Sequence, residues 1–243
     1  MLKNKKILFF GTDNQISLSI IENLVKQKAN IFFISQNEIL NTDILIKISN
    51  NYFFKDYYSI DKIEDIFKSE LNNEKHFDGV VFSGGIGGSR PIKLNKIDFV
   101  KSMFEANVFS FIEIMRHVVK RDFLNDGASI LGLSSISSFK GLKSKEVYSA
   151  SKAALEASIR SCAAELSHRH IRVNSIQKGW VLSDMDLEFI KDNRSLNNDN
   201  DLNKQLLGPI EPQELANLVV FLLSDQVKTI TGTSILLDGG YTL

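Results

Sequence analysis

"ILFFGTDNQIS", residues 7–17, runs from an apolar segment through one glycine into a polar stretch that becomes amphipathic. Ile7–Phe10 has the β-branched and aromatic content of a buried strand. Gly11 permits a sharp turn, and Gln15–Lys28 carries apolar residues at helical spacing. Strand, tight turn and helix in that order open a phosphate-binding crevice, because a helix N-terminus presents unpaired N–H groups. Such loops usually hold three glycines. Here Gln15 and Ser17 stand where the other two are expected.

Outward from this stretch the same alternation continues. Strand candidates are Ile7–Phe10, Ile31–Ile34, Phe53–Lys55, Val80–Phe82, Ser129–Leu133, Arg172–Ile176 and Ser234–Leu237. Helix candidates lie near Gln15–Lys28, Asp61–Leu71, Lys96–Arg121, Val147–His168 and Gln213–Leu223. In the third helix Phe104, Val108, Phe111 and Met115 form one apolar face. The fourth carries Ala150, Ala153, Ala154 and Ala157, small enough for another helix to approach closely. Near-continuous apolar strands alternating with helices predict an α/β doubly wound parallel sheet of seven strands, covered on both faces. Ligands of such a sheet sit outside the carboxyl ends of its strands.

The 243 residues suit one domain, 1–243, and 43% hydrophobic residues suffice for a substantial core. Twenty-nine basic residues balance 29 acidic ones, so overall charge gives no argument for nucleic acid or an anionic membrane. No apolar stretch is long enough to span a bilayer, and the N-terminal apolar run is too short for a signal peptide. The single cysteine, Cys162, excludes an internal disulfide framework and fits a reducing cytoplasm. His168 and His170 are two apart at a helix end, which points them away from each other and fits a basic helix terminus better than a metal pair. No metal site is expected.

The strongest chemical signal is "EVYSASKAALEAS", residues 146–158. Tyr148 and Lys152 are one helical turn apart on the same face. An ammonium beside a phenol favours the phenolate and draws its pKa toward the working range. An amphipathic helix that happens to show a tyrosine and a lysine is the other reading. Ser135, thirteen residues before Tyr148, ends a strand and can hold a carbonyl beside the phenol. Asn107 is a polar residue inside the apolar pattern "FEANVFSF", either a structural bridge or part of a proton relay.

Asn107, Ser135, Tyr148 and Lys152 at these spacings resemble the tetrad of the short-chain dehydrogenase/reductase family. "FDGVVFSGGIG" (77–87) resembles the segment D-x-L-V-N-N-A-G, and "IRVNSIQKGWVLSDM" (171–185) resembles R-V-N-x-I-x-P-G-x-V-x-T. "EPQELANLVVFLLSD" and "TGTSILLDGGYTL" are similar to the family's final helix and strand, so the likeness covers nearly the whole chain. Among members, the 3-oxoacyl-acyl-carrier-protein reductases are nearest in length and C-terminal wording. The resemblance implies a Rossmann-type sheet and an oxidoreductase that interconverts a carbonyl and a secondary alcohol with NAD(P)(H). Tyr148 would be the acid/base, Lys152 would lower its pKa and hold the nicotinamide ribose, Ser135 would orient the carbonyl, and Asn107 would support a proton path. It further implies a small-molecule carbonyl or alcohol substrate and a homo-oligomer, dimer or tetramer, built through the third and fourth helices.

Carried over residue by residue, cofactor contacts fall on Gly11, Asp13, Asn14, Gln15 and Ile16 in the first loop. Ser35 and Gln36 follow the second strand, and Asp56 and Tyr57, after the third, match positions that contact adenine. Phe82, Ser83 and Gly84 replace N-N-A beside the adenosine ribose; Gly179, Val181 and Ser183 lie near the nicotinamide. The turn after the second strand has neither the acidic residue of NAD readers nor the arginine of NADP readers. Asp13 would repel a 2′-phosphate and tilts the choice to NAD. Lys178 replaces the proline before Gly179, either as a solvated side chain or as a contact for an anionic substrate. Lys191–Gln205, polar and rich in Asn and Asp, reads as a solvated loop or as part of a substrate lid near 185–207. The alternative function is a noncatalytic relative with impaired dinucleotide binding, supported by Gln15, Ser17, Phe82 and Lys178.

Overall fold

The computed structural model describes residues 1–38, 48, 51–182 and 204–243. Seven strands form one parallel sheet: β1 (Lys6–Gly11), β2 (Asn30–Ser35), β3 (Tyr52–Phe54), β4 (Phe77–Phe82), β5 (Leu124–Ser135), β6 (Arg172–Lys178) and β7 (Ser234–Leu237). Their order is β3-β2-β1-β4-β5-β6-β7, with every adjacent pair parallel. The expected doubly wound sheet is therefore observed, and its direction of winding reverses between β1 and β4.

The pleat of β1 explains why its sequence is apolar without alternation. Leu8 and Phe10 enter one core layer with Ile63, Phe82, Phe111 and Leu155. Ile7 and Phe9 enter the other with Ile20, Leu24, Leu215 and Val219. All four β1 side chains are fully buried, each contributing about 1.5–3 kcal/mol by transfer from water. Helices α2 (Ile60–Ser69), α4 (Ser110–Val118) and α5 (Glu146–Leu166) cover the first face; α1 (Gln15–Lys26) and α6 (Pro212–Leu223) cover the second. Asn14 caps α1 by accepting from the Ser17 N–H at 2.8 Å, and Glu211 with Glu214 makes a capping box on α6.

Several boundaries differ from the sequence reading, β5 for instance beginning at Leu124 rather than Ser129. β4 begins at Phe77 rather than Val80, because Phe77 already pairs with Leu124 of β5 and its N–H donates to the Phe123 carbonyl at 2.8 Å. The helix expected over Lys96–Arg121 is not continuous: α3 (Ile97–Phe104) meets α4 through a π turn at Glu105–Phe109. Asn107 sits inside that turn. Among the described residues no helix is long and apolar enough to cross a membrane, and no group of three His, Cys, Asp or Glu residues could hold a metal ion. Ser183 and most of the segment expected as a lid lie outside the described residues.

Candidate active site

The β1–β4 reversal leaves a crevice at the carboxyl ends of the strands. On one side stand Gly11 and the N-terminus of α1; on the other, the loop Ser83–Gly87 that leaves β4. A cleft of about 240 Å³ opens here, walled by Asn14, Ile16 and the Ser83–Gly87 loop and closed at its inner end by Tyr148, Lys152 and Lys178. A larger hollow, about 370 Å³, lies at the opposite ends of the strands among Lys5, Asp78 and Asp225 and contains none of the candidate groups.

Two side chains fix the loop after β4. Asn107 accepts from the Ile86 N–H at 2.7 Å and donates to the Ile86 carbonyl at 3.0 Å. The Tyr58 hydroxyl does the same for Gly85, accepting from its N–H at 2.7 Å and donating to its carbonyl at 3.1 Å. Gly85 has φ +134°, and a Cβ there would stand 2.6 Å from Asn107 Oδ1 and 3.2 Å from Lys152 Nζ. Only glycine fits that backbone and lets the loop pass so close to the polar cluster. Asn107 also donates to Ser151 Oγ at 2.9 Å, and Ser151 donates to the Tyr148 carbonyl at 2.8 Å. The π turn thus places one buried amide between the cleft wall and α5, in keeping with the concentration of such turns at functional sites.

Lys152 is buried and donates to the Leu133 carbonyl at 3.0 Å, with its Nζ 5.9 Å from the centre of the Tyr148 ring. Burial, and then the neighbouring Lys178 cation, pull its pKa down to about 7, while Glu156 acts in the opposite direction. Glu156 is itself buried, accepting from Ser134 at 2.5 Å and from Gln177 at 3.0 Å. It is the counter-charge that the sequence reading missed, although its four-residue spacing from Lys152 was visible. Tyr148 departs from expectation: burial raises its pKa, opposed by a hydrogen bond from Ser135. Desolvation of the phenol is the larger effect, and the Lys152 ammonium is turned to the Leu133 carbonyl. The hydroxyl therefore keeps its proton at neutral pH. Ser135 Oγ lies 3.0 Å from Ser137 Oγ and accepts from the Ser137 N–H at 3.2 Å.

The structure brings Asn107, Ser135, Tyr148 and Lys152 to one end of the crevice. It sorts the other candidates. Asn14, Ile16, Ser83 and Gly84 line the cleft, and Gly179 lines the adjoining cavity beside Ser135. Gln15 is exposed on the first turn of α1, while Asp13 is partly exposed and does not line the cleft. Tyr57, Phe82, Ser35 and Val181 carry buried side chains. Tyr57 packs on Phe10 and Phe82 and donates to the Gly11 carbonyl at 2.9 Å; Ser35 donates to the Asn37 carbonyl. Gln36 donates to Asp56 at 2.9 Å and accepts from the Tyr57 N–H at 3.0 Å, so its amide is already engaged. Asp56 has its pKa lowered by Lys62 and Gln36 and by the Ser59 N–H, against the opposing effect of burial.

A bound dinucleotide fits what is built here: a side-chain-free wall at Gly84 and Gly85, a helix N-terminus, and a buried amine at the inner end. A family model described as enoyl-(acyl carrier protein) reductase matches residues 11–242. The chain belongs to the short-chain dehydrogenase/reductase family. It is 30% identical to the enoyl-acyl-carrier-protein reductase (NADH) of Buchnera aphidicola subsp. Schizaphis graminum, covering 100% of this chain and 96% of that one. It is 32% identical to an L-xylulose reductase of Caenorhabditis elegans, covering 98% and 96%. The crystal structure of a short-chain dehydrogenase family protein from Francisella tularensis superposes with a TM-score of 0.83 at 26% identity, over 98% and 99% of the two chains. As a short-chain dehydrogenase/reductase, this protein is an NAD(P)(H)-dependent oxidoreductase.

Proposed function

We propose that the protein reduces a carbonyl to a secondary alcohol, with Tyr148 giving its proton to the carbonyl oxygen. One observation carries this reading: Tyr148 shares a cavity lining with Ser135 and a glycine-walled crevice with the buried Lys152. A phenol that holds its proton at neutral pH can give it to a carbonyl oxygen, which suits reduction. Ser135 and Tyr148 together would donate to the substrate oxygen and stabilise charge gathering there. Asn107, through Ser151 and the Tyr148 carbonyl, would hold the catalytic turn of α5 in register with the cleft wall. Bound NAD(P)H supplies the hydride.

The groups that would hold this cofactor are the N–H groups at the start of α1 for the pyrophosphate and the Ser83–Gly85 backbone for the adenosine ribose. Lys152 would take the nicotinamide ribose, and Gly179, Val181 and Ser183 would face the nicotinamide. NADH is favoured over NADPH, since the turn after β2 offers no arginine and Gln36 spends its amide on Asp56. A 3-oxoacyl thioester belongs to the proposed class, supported by the C-terminal wording alone. The test is fluorescence titration with NADH and NADPH, followed by a carbonyl panel. Saturable binding with turnover that Tyr148→Phe abolishes is expected. Absence of binding by either nucleotide would favour the noncatalytic alternative.

The family description and the Buchnera relative favour a second reading, reduction of an α,β-unsaturated thioester. The same phenol would then protonate an enolate oxygen. Comparing matched enoyl and 3-oxoacyl thioesters separates the two.

We also propose a homo-oligomer formed through α3, α4 and α5. Ile97, Phe109 and Ile112 are between 45% and 62% exposed, an apolar surface beside the exposed Ala150 and Ala157. Sedimentation at micromolar concentration tests it.

A further inference from the structure

We infer that Glu156 is a positioning residue of the reaction site, tying the strand end that carries Ser135 to the helix turn that carries Lys152. The inference rests on the oxidoreductase reading of Tyr148 and adds a residue outside the reacting groups. Glu156 lines neither the nucleotide cleft nor the cavity beside Ser135, so it acts only through its neighbours.

The connections run through two strands and a helix. Tyr148, Lys152 and Glu156 follow one another at four-residue intervals, a single stripe down α5. Ser134 and Gln177 are paired positions of β5 and β6, and both donate to the Glu156 carboxylate, at 2.5 Å and 3.0 Å. Gln177 Nε2 also donates to Ser138 Oγ at 3.2 Å, and the Ser138 hydroxyl donates to the Ser135 carbonyl at 2.8 Å. Ser135 is therefore held from both sides, by its covalent neighbour Ser134 and, through Gln177 and Ser138, at its own carbonyl. Both routes end on one carboxylate that is 5% exposed.

Hydrogen bonding alone gives no reason for a charge at this depth. Glutamine has the same length, and with its amide suitably turned it would accept from Gln177 and donate to Ser134. The neutral side chain would satisfy both neighbours without the cost of burying an ion. What an amide cannot do is offset the Lys152 ammonium one helical turn away. Burial and Lys178 on β6 both depress the proton affinity of that ammonium, and Glu156 is the group that acts against them. The Leu133 carbonyl on β5 and the Tyr148 phenol on α5 also face Lys152, and both are neutral. The carboxylate thus serves two ends at once: it fixes the backbone beneath Ser135 and it helps Lys152 keep its proton.

The experiment measures kcat, KM and the pH dependence of kcat/KM with NADH in the parent, Glu156→Gln and Ser134→Ala, with thermal unfolding of each. Glu156→Gln is expected to lower kcat by about tenfold or more, with a smaller change in KM, because a small misplacement of Ser135 is costly. Its alkaline limb is expected to move to lower pH, since Lys152 without the neighbouring anion gives up its proton sooner. Ser134→Ala keeps the carboxylate, so kcat should fall while the limb stays where the parent has it. A limb unmoved in Glu156→Gln, or an unchanged kcat in Ser134→Ala, overturns the inference, because mere packing support would lower Tm without either effect. Should Glu156→Gln fail to fold, the kcat of Ser134→Ala decides alone. If no carbonyl turns over, the oxidoreductase reading of Tyr148 fails, and NMR titration of lysine-labelled protein, with Lys152→Met assigning the resonance, still decides the tie. A lower titration point for Lys152 in Glu156→Gln upholds it; the same titration point in both proteins removes it.

Discussion

The Ser17 hydroxyl lies 3.3 Å from that of Ser83, bridging the crevice between β1 and β4. Ser17 stands where the family loop has its third glycine, and Ser83 where the second loop has an asparagine. The two departures meet in the folded chain. Ser17 is fully buried and its Oγ also faces the Thr12 N–H at 3.4 Å. The helix N-terminus and the glycine wall both persist around this bridge.

Ser17→Ala and Ser83→Ala are each expected to lower stability by about 0.5–1.5 kcal/mol, the net worth of one hydrogen bond. The double variant should lose clearly less than the two single losses added, because both delete the same bridge. Urea denaturation of the four proteins measures this. Strict additivity would show that the hydroxyls are neighbours without being partners.

Gly11 is the one glycine of the first loop, and the space around it is filled. A Cβ there would stand 2.5 Å from Phe9 Cε1 and 2.9 Å from Ser17 Oγ. The serine hydroxyl can rotate away, but the Phe9 ring is locked in the core against Phe33. Gly11→Ala is expected to lower Tm and to weaken NADH binding by about tenfold or more, through a displaced α1 N-terminus, as overpacking costs about 1–3 kcal/mol. Thermal unfolding and fluorescence titration read the two effects separately.

Tyr58→Phe keeps the ring and deletes the hydroxyl that holds both backbone groups of Gly85. Leaving these groups without their partner costs about 1–3 kcal/mol. At about 2–4 °C per kcal/mol for a chain of this size, the loss is visible as a lowered Tm. The Ser83–Gly87 wall loosens, so the Kd for NADH should rise while kcat at saturation changes less. A variant indistinguishable from the parent in both measurements would show that Asn107 alone positions this loop.

How much of this was legible beforehand follows from what each residue depends on. β1, its turn and α1 are encoded within a dozen neighbouring residues, so apolar runs and a cap residue sufficed to read them. Tyr148 and Lys152 share one helix face, and spacing alone joins them. Tyr58 and Gly85, 27 residues apart, and Gln205 and Trp180, 25 apart, meet only through the sheet. No local pattern announces such pairs. The π turn at Asn107 was hidden for the same reason: its cause is the Ile86 backbone, contributed by another loop. For Tyr57, a position that matches adenine contacts in a family says nothing about where the ring turns. Here it turns inward to Gly11.

Lys152 gives the clearest dependence on pH. Its pKa is about 7 in the folded chain, lowered by burial first and by Lys178 second, and the ordinary lysine value applies once unfolded. Below about pH 7 both states carry the charge and the folded protein bears the full cost of burying it. As pH rises from about 7 toward the ordinary lysine range, only the unfolded state holds the proton, and that cost is progressively lost. Lys152→Met is therefore expected to be more stable than the parent at pH 6, with the gap narrowing by pH 9, and to be inactive. Activity of the parent, which needs the Lys152 charge, should decline as pH rises through about 7. Lys178→Met removes the second cause of the shift, so the alkaline limb of its kcat/KM profile should move to higher pH. Denaturation at the two pH values and pH–rate profiles of the parent and Lys178→Met provide the check. A limb that stays in place when Lys178 is removed would mean that the two ammonium groups do not sense each other across the cleft.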